Sequence, residues 1–273
     1  MAPVSAFERF RFMAKHDAST LAMSSERVGL DPPTHVLLAN ACLFLDFDGV
    51  LVEIAARPDA VLVDDRLKSL LSCLSIRLGG RLGIISGRPL CQLRDLLGDL
   101  PLAFGGSHGA EIRWPDGTLD APEQAGGLDR IAAEMEPLLA RFPGIVIEHK
   151  PYGVALHYRS VPEAEDACRN LAVAISHSSG LTLQSGKMVF ELRIPGGDKG
   201  SALRLLSSRS DMAGLKLVFI GDDDTDEAAF IVAAETGGAG ILVGPERPTA
   251  ARFRIETVAA TIDWLERFCG EDS

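Results

Sequence analysis

Continuous apolar runs alternate with amphipathic segments from residue 41 to residue 113, and the same pattern returns after residue 195. The apolar runs have the length of buried strands, and the amphipathic segments have the spacing of helices with one apolar face. Buried strands separated by helices are typical of a parallel sheet that is covered on both faces. The predicted strands are "ACLFLDF" (41–47), "RLGIIS" (81–86), "LAFGG" (102–106), "LKLVFIGD" (215–222) and "GAGILV" (238–243). The predicted helices span 64–78, 89–98, 198–208, 225–235 and 256–269.

Residues 114–194 have a different pattern, in which apolar and polar residues alternate strictly along the predicted strands. This alternation is typical of an antiparallel sheet with helices on its apolar face and charged side chains on the other. Two explanations of the charged face stay open, because charged residues of both signs suit either solvent or a polyhydroxylated ligand. The predicted helices lie near 128–141 and 162–176, and the predicted strands at 145–150, 153–159, 181–185 and 188–194.

Strand alternation singles out several charged residues on one face of this segment. In 187–194, Lys187, Glu191 and Arg193 share a face with Val189, opposite Met188, Phe190, Leu192 and Ile194. Two further pairs also share a face within their strands, namely Glu148 with Lys150, and His157 with Arg159.

The change of pattern predicts how the chain is divided. We expect an N-terminal extension at 1–40, a core formed by 41–113 and 195–273, and an inserted α/β domain at 114–194. The extension contains a predicted short helix around 5–16, for which the sequence indicates no function. The pair Gly196–Gly197 is the predicted hinge between the inserted domain and the core.

Composition narrows the functional class. The net charge of −11 over 273 residues argues against nucleic-acid binding, which needs clustered Lys and Arg. There is no stretch of 18 apolar residues and no signal-peptide pattern, so we expect no membrane interaction and a cytoplasmic location. The five cysteines are scattered without zinc spacing, which predicts reduced thiols. A small phosphorylated ligand remains compatible with this charge if a metal and a few lysines create a local positive site.

Acidic side chains follow two of the predicted parallel strands. Asp46 and Asp48 follow the first strand, and "GDDDTDE" (221–227) follows the strand "LKLVFI". Because ligands bind at the carboxyl ends of parallel strands, these carboxylates should meet at one edge of the sheet. Several converging carboxylates need a hard divalent cation, and Mg²⁺ suits a site that also receives a phosphate. One aspartate would suffice to cap the following helix, so capping does not account for the whole group.

A phosphate bound at this metal would give several candidate residues a chemical role. Asp46 is a candidate nucleophile that forms an aspartyl phosphate, and Asp48 a candidate acid and base. Ser86, with the amide of Gly87, could donate hydrogen bonds to a phosphate oxygen. Lys199 in "GGDKGSAL" could neutralise both the phosphate and the nucleophile. Each has a purely structural alternative, since such a serine is commonly an N-cap and a single lysine commonly lies on the surface.

These motifs resemble a known family. The ordered set "DFDGV", "ISGR", "DKGSAL" and "GDDDTDE" is similar to the four motifs of the haloacid dehalogenase-like phosphatases. More narrowly, "SHGAE" (107–111), "EHK" (148–150), "GKMVFELR" (186–193) and "GDDDTDEAAF" (221–230) resemble the trehalose-6-phosphate phosphatases. The resemblance implies a Rossmann-like parallel-sheet core with an inserted α/β cap that closes over the sugar.

The resemblance also implies roles for individual residues. Asp46 is then the nucleophile and Asp48 the acid and base. Mg²⁺ is then held by Asp46, the backbone carbonyl of Asp48, and Asp222, with support from Asp223. We expect His108 to lie at the junction of core and cap and to contact the substrate rather than to act as a base. The expected substrate contacts are Ser86, Gly87, Arg88, His108, Glu148, Lys150, Arg159, Lys187 and Glu191.

The expected function is Mg²⁺-dependent hydrolysis of trehalose 6-phosphate to trehalose and phosphate, with functional coupling to a trehalose-phosphate synthase. Two alternatives stay open. The same chemistry could act on sucrose, glucosylglycerol or mannosylglycerate phosphate, or transfer the phosphoryl group as a mutase. The fold could also serve as a non-enzymatic sugar-phosphate sensor, although a sensor has no use for the mutually repelling pair Asp46 and Asp48.

Overall fold

The structure is a computed structural model that describes residues 29–55, 57, 60–122 and 126–270. The helix predicted around 5–16 lies outside the described residues. Within them, no helix is both long and apolar enough to cross a membrane.

A mostly parallel sheet forms the centre of the molecule. Its described strands follow the order β12-β11-β10-β1-β2-β3-β4-β5, and the pairs from β12 to β3 are parallel. The strands are β1 (Ala41–Leu45), β2 (Leu82–Ile85), β3 (Ala103–Gly106), β4 (Glu111–Arg113), β5 (Leu119–Asp120), β10 (Lys216–Gly221), β11 (Ala239–Val243) and β12 (Phe253–Ile255). The predicted α/β fold with a mostly parallel sheet is therefore confirmed.

Helices cover both faces of this sheet. They are α1 (Asp65–Arg77), α2 (Leu90–Leu97), α5 (Lys199–Ser207), α6 (Glu227–Glu235) and α7 (Val258–Gly270). One buried cluster contains Leu71 of α1 and Leu265 of α7, and a second contains Leu203 of α5 and Phe230 of α6. The two apolar layers explain why β1 is buried along its whole length.

The sheet extends further than the sequence pattern indicated. The strands β4 and β5 add an antiparallel edge beyond β3, and β12 adds a parallel edge beyond β11. These strands have only two or three residues each, which is too short to show a period in the sequence.

A second, antiparallel sheet lies within residues 114–194. Its strand order is β6-β7-β9-β8, with β6 (Val146–Lys150), β7 (Gly153–His157), β8 (Thr182–Gly186) and β9 (Val189–Arg193). The helices α3 (Leu128–Arg141) and α4 (Glu165–Ser179) cover one face, where Phe190 and Leu192 join their buried cluster. The intervening residues Glu191 and Arg193 consequently point to the opposite face, as the alternation predicted.

Candidate active site

Asp46 lies at the carboxyl end of β1, between β10 and β2. Its backbone N–H donates to Ile220 at 2.9 Å, which continues the parallel pairing one residue beyond the strand. The residue is 4% exposed, with Oδ1 accepting the N–H of Phe47 at 2.6 Å and Oδ2 accepting from Lys199. Three residues later Gly49 has a φ of 80°, and a Cβ there would lie 2.3 Å from the Asp222 carboxylate. Only glycine fits this turn, because it lets the acidic loop approach the end of β1.

Lys199 joins two of the buried carboxylates. Its Nζ donates to Asp46 and to Asp226 at 2.7 Å each, and the residue is 2% exposed. Burial acts to lower the pKa of Lys199, but Asp226 and Asp46 raise it well above its usual value. The lysine begins α5, where Asp198 and Ser201 form a capping box. This capping box fixes the first turn of α5 and so places the Lys199 side chain at the sheet edge.

The acidic loop follows β10 and is folded by its own aspartates. Asp226 Oδ2 accepts the N–H groups of Asp222 at 2.8 Å and Asp223 at 3.0 Å. Asp223 Oδ1 accepts the N–H of Thr225 at 2.8 Å, and Arg247 donates to the Asp223 carbonyl at 2.7 Å. Asp223 Oδ1 and Asp226 Oδ2 thus shape the loop through hydrogen bonds to its backbone.

Three carboxylates lie close enough together to hold a metal ion where this loop meets β1. Carboxylate oxygens of Asp46, Asp222 and Asp226 lie within 4.8 Å of one another. Burial and the neighbouring charges of Asp223 and Asp226 raise the pKa of Asp222 to about 7. Burial also raises the pKa of Asp46 well above its usual value, against the opposing effect of Lys199. The single positive charge of Lys199 does not neutralise these carboxylates when all of them are ionised, so the group then has a net negative charge.

The group contains Asp226, which was not among the predicted ligands. Asp226 contributes an oxygen, whereas Asp223 is turned toward Thr225 and the Asp48 side chain toward Arg88. The prediction gave Asp223 a supporting role and did not include Asp226. The available signal was the position of Asp226 in "DDDTD", four residues after Asp222 in the same acidic segment.

The loop after β2 brings a second set of polar groups to the same edge. Ser86 is fully buried, and its Oγ accepts the N–H of Arg88 at 3.1 Å. Arg88 donates from Nε to Asp48 Oδ2 at 2.6 Å and from Nη2 to Oδ1 at 2.8 Å. A Cβ at Gly87 would meet the His108 ring at 2.6 Å, so glycine is required for the ring to lie there.

His108 lies between the two sheets. Ser107 and His108 both have left-handed backbone conformations, with φ of 49° and 58°. Buried Glu111 holds this turn by accepting the Ser107 hydroxyl at 2.6 Å. The His108 ring lies 3.0 Å from the amide of Gln184 and 3.6 Å from a carboxylate oxygen of Glu191, both on the smaller sheet. Burial lowers the pKa of His108, although Glu191 acts to raise it. The backbone strain is thus located where the two sheets meet.

The charged face of the smaller sheet points at the core. Lys150 donates to Glu191 at 2.5 Å and to the carbonyl of Gly87 at 3.3 Å. Burial opposes both charges of this pair, yet their attraction raises the pKa of Lys150 and lowers that of Glu191. Glu148 accepts hydrogen bonds from His157 at 2.9 Å and Gln92 at 3.1 Å. Lys150 and Glu191 therefore hold each other in their charged forms.

A hairpin turn adds Lys187 from the side. The turn Lys187–Met188 joins β8 to β9, and Met188 has a φ of 66°. Arg159 fixes the turn by donating to the Lys187 carbonyl at 2.8 Å. Both Lys187 and Arg159 line the cleft, so each cap residue predicted to contact the substrate is present there.

The cleft between the sheets has a volume of about 940 Å³, including the part open to solvent. This volume is at the upper end of the range for small-molecule sites. Its lining contains all the predicted site residues: Asp46, Asp48, Ser86, Gly87, Arg88, His108, Glu148, Lys150, Arg159, Lys187, Glu191, Lys199, Asp222 and Asp223. Gln92, His157 and Gln184 line it too and were not predicted as site residues.

The sequence matches the model of the trehalose-phosphatase family over residues 44–259. It is 37% identical over 215 residues to a probable trehalose-phosphate phosphatase of Sinorhizobium fredii, covering 78% of this chain and 81% of that protein. It is 35% identical over 235 residues to the trehalose-6-phosphate phosphatase of Escherichia coli, covering 85% and 88%.

Solved structures agree with this relationship. A trehalose-6-phosphate phosphatase related protein shares 29% identity with a TM-score of 0.67, covering 84% of this chain and 96% of that one. The C-terminal domain of C. albicans trehalose-6-phosphate phosphatase has a TM-score of 0.78 at 21% identity, covering 90% of this chain and 100% of that one, and supports the fold. The family model covers most of the chain and the curated relatives match it over most of their length, so this chain belongs to the trehalose-phosphatase family.

Proposed function

We propose that the protein hydrolyses trehalose 6-phosphate to trehalose and phosphate. One observation carries the proposal: the Asp46 carboxylate, held by Lys199, lies in the same cleft as the charged face of the smaller sheet. A phosphate bound at Asp46 would leave its sugar against Glu148, Lys150 and Glu191. The names of the relatives at 35% and 37% identity support this choice of substrate.

The proposed reaction has two displacements. In the first, an Asp46 oxygen attacks phosphorus, the bond between phosphorus and the sugar oxygen breaks, and Asp48 gives its proton to that oxygen. In the second, Asp48 takes a proton from water as the water oxygen attacks phosphorus. Inorganic phosphate leaves and the Asp46 carboxylate is restored. The hydrogen bond from Phe47 to Asp46 Oδ1 fixes the carboxylate plane for both steps.

The donor set fits Mg²⁺. All the candidate ligands are oxygens, and burial and mutual repulsion raise the pKa values of Asp46 and Asp222. We assign Asp46, Asp222 and the backbone carbonyl of Asp48 as ligands, with Asp223 and Asp226 in support. When bound, the cation supplies positive charge to the phosphate oxygens.

The remaining core residues bind the phosphate. Ser86, the amide of Gly87, Arg88 and Lys199 surround the position next to Asp46, and all four line the cleft. Arg88 now donates to both oxygens of Asp48. A phosphate that binds Arg88 would compete for this guanidinium and release Asp48 for proton transfer.

Residues 114–194 form the proposed cap, and 41–113 with 195–273 the proposed catalytic core. The cap reads the sugar through Glu148, Lys150, Arg159, Lys187 and Glu191, with His108 contributing from the core side. Gly196–Gly197 is the proposed hinge. Functional coupling to a trehalose-phosphate synthase belongs to this proposal because such an enzyme makes the substrate.

A panel of sugar phosphates tests the substrate. Phosphate release is measured with and without Mg²⁺ on trehalose 6-phosphate, sucrose 6-phosphate, glucosylglycerol phosphate, mannosylglycerate phosphate and glucose 6-phosphate. We expect the highest kcat/KM on trehalose 6-phosphate and a loss of activity after chelation. A higher kcat/KM on another member would reassign the substrate, and binding without phosphate release would indicate a sensor.

Mg²⁺ should stabilise the protein more at high pH than at low pH. The raised pKa values of Asp46 and Asp222 mean that these two carboxyl groups bind more protons in the folded protein than in the unfolded chain between about pH 4 and about pH 7. Without the cation, the contribution of these two groups to stability falls as pH rises through this window. Mg²⁺ at about 10 mM should raise Tm by about 5 °C at about pH 8 and by less at about pH 6.

The control for this measurement is a pair of Asp→Asn variants followed by thermal denaturation. Asp222→Asn should lose most of the Mg²⁺ effect, whereas Asp129→Asn, whose side chain is fully exposed, should keep it. An equal rise in Tm for Asp222→Asn and the wild type would place the cation elsewhere.

Lys187→Ala should weaken hydrolysis of the disaccharide phosphate more than hydrolysis of p-nitrophenyl phosphate. Lys187 is exposed at a hairpin turn, so its removal leaves the core intact. We expect kcat/KM on trehalose 6-phosphate to fall about tenfold, the effect of one charged hydrogen bond. Glu191→Gln should likewise lower kcat/KM more on trehalose 6-phosphate than on p-nitrophenyl phosphate. Lys216 is exposed and lies outside the cleft, so Lys216→Ala should leave kcat/KM unchanged on both substrates. Equal losses on both substrates would mean that these side chains do not read the sugar.

A further inference from the structure

Gln92 connects two charged side chains from opposite sides of the cleft. It lies in the first turn of α2, in the core, and its Oε1 accepts from Arg88 Nη1 at 3.3 Å. Its amide nitrogen donates to Glu148 Oε1 at 3.1 Å, on strand β6 of the smaller sheet. The residue is half-buried and lines the cleft.

The two neighbours fix the orientation of the Gln92 amide. A guanidinium has only donors, so it requires the amide oxygen, and an ionised carboxylate has only acceptors, so it requires the amide nitrogen. Flipping the amide would turn two favourable contacts into two repulsive ones. Gln92 is therefore matched in polarity to Arg88 on one side and to Glu148 on the other.

Each end of this connection reaches a residue with a proposed role. Arg88 holds both oxygens of Asp48, and its guanidinium also lies over the Phe47 ring at 5.6 Å. On the other side, the second oxygen of Glu148 accepts from His157 at 2.9 Å. A continuous chain of hydrogen bonds thus runs from His157 on β7 through Glu148, Gln92 and Arg88 to Asp48.

We propose that Gln92 is a positioning residue that couples sugar recognition at Glu148 to the Arg88 guanidinium and so to Asp48. A sugar hydroxyl that binds Glu148 would change the hydrogen bond between Glu148 and Gln92. Gln92 also accepts a hydrogen bond from Arg88, whose guanidinium holds Asp48, the proposed acid. The inference rests on the proposed function, because it takes Glu148 as a sugar contact and Asp48 as the acid.

The coupling predicts a dependence on the leaving group. A sugar alkoxide needs the proton of Asp48 to leave, whereas p-nitrophenolate leaves without one and has no sugar to contact Glu148. Loss of Gln92 should therefore affect the disaccharide phosphate more than the aryl phosphate. A residue with only a structural role would affect the two substrates equally.

The first test is Gln92→Met, which keeps the length of the side chain and removes both hydrogen bonds. We expect kcat on trehalose 6-phosphate to fall about tenfold and kcat on p-nitrophenyl phosphate to fall several-fold less. Arg94→Met, an exposed position on the same helix, is the matched control and should match the wild type on both substrates. If Gln92→Met lowers Tm, Gln92→Ala replaces it, since alanine is favourable in a helix. Equal losses on both substrates would overturn the proposal.

The second test is a double-mutant cycle with Glu148→Ala. If Gln92 acts through Glu148, adding Gln92→Met to Glu148→Ala should cost less than about threefold in kcat, far below its effect in the wild type. The same tenfold loss in both backgrounds would show that the two residues are independent and would contradict the coupling.

The outcome is distinguishable from a failure of the proposed function. Absence of phosphate release from trehalose 6-phosphate by the wild type would reject that substrate. The cycle is then measured on the sugar phosphate that the panel identifies, where additive losses still overturn the coupling and non-additive losses still support it.

Discussion

The structure depends on the ammonium group of Lys199, which is buried between Asp46 and Asp226. These three residues come from the end of β1, the start of α5 and the loop after β10, so one ion cluster fixes three segments of the sheet edge. Removing the lysine would leave two buried carboxylates without their cationic partner, a change that typically costs about 3–5 kcal/mol. The cluster therefore ties the position of the proposed nucleophile to the packing of the core.

The charge of the same cluster explains why the site can bind a further cation. Lys199 supplies one positive charge, while Asp46, Asp222, Asp223 and Asp226 lie around it. Thr225 and backbone N–H groups donate hydrogen bonds to Asp223 and Asp226, and Lys199 donates to Asp46 and Asp226, so four neighbouring carboxylates share one cationic side chain. Burial and the neighbouring charges raise the pKa values of Asp46, Asp222 and Asp226, and of these Asp46 and Asp222 line the cleft.

The smaller sheet, which is proposed to contact the sugar, contributes no residue to the ion cluster of Lys199, Asp46 and Asp226. Its charged face is paired internally, as Lys150 with Glu191 and Glu148 with His157 show. It meets the core through the carbonyl of Gly87, the His108 ring and the Gln92 amide. These contacts join the residues proposed to bind phosphate to those proposed to bind the sugar.

Much of this arrangement could be predicted from the sequence, because it follows from the spacing of apolar residues and from the positions of polar residues at the ends of strands. The apolar run before Asp46 predicts β1, and strand alternation alone separates Glu191 from the buried Phe190. Other features have no such signal. Strand β5 has two residues, and the role of Gln92 arises only when α2 and β6 come together in space. The contact between Lys199 and Asp226 joins residues 27 positions apart, a pairing that no spacing in the sequence indicates.

Asp46 is the proposed acceptor of the phosphoryl group. The most direct measurement is to quench the protein with acid during turnover of trehalose 6-phosphate, reduce the acyl phosphate with borohydride and locate the product by mass spectrometry. We expect homoserine at position 46 in the wild type and none in Asp46→Asn, which should still bind the substrate. A modified residue elsewhere, or near wild-type turnover by Asp46→Asn, would contradict it.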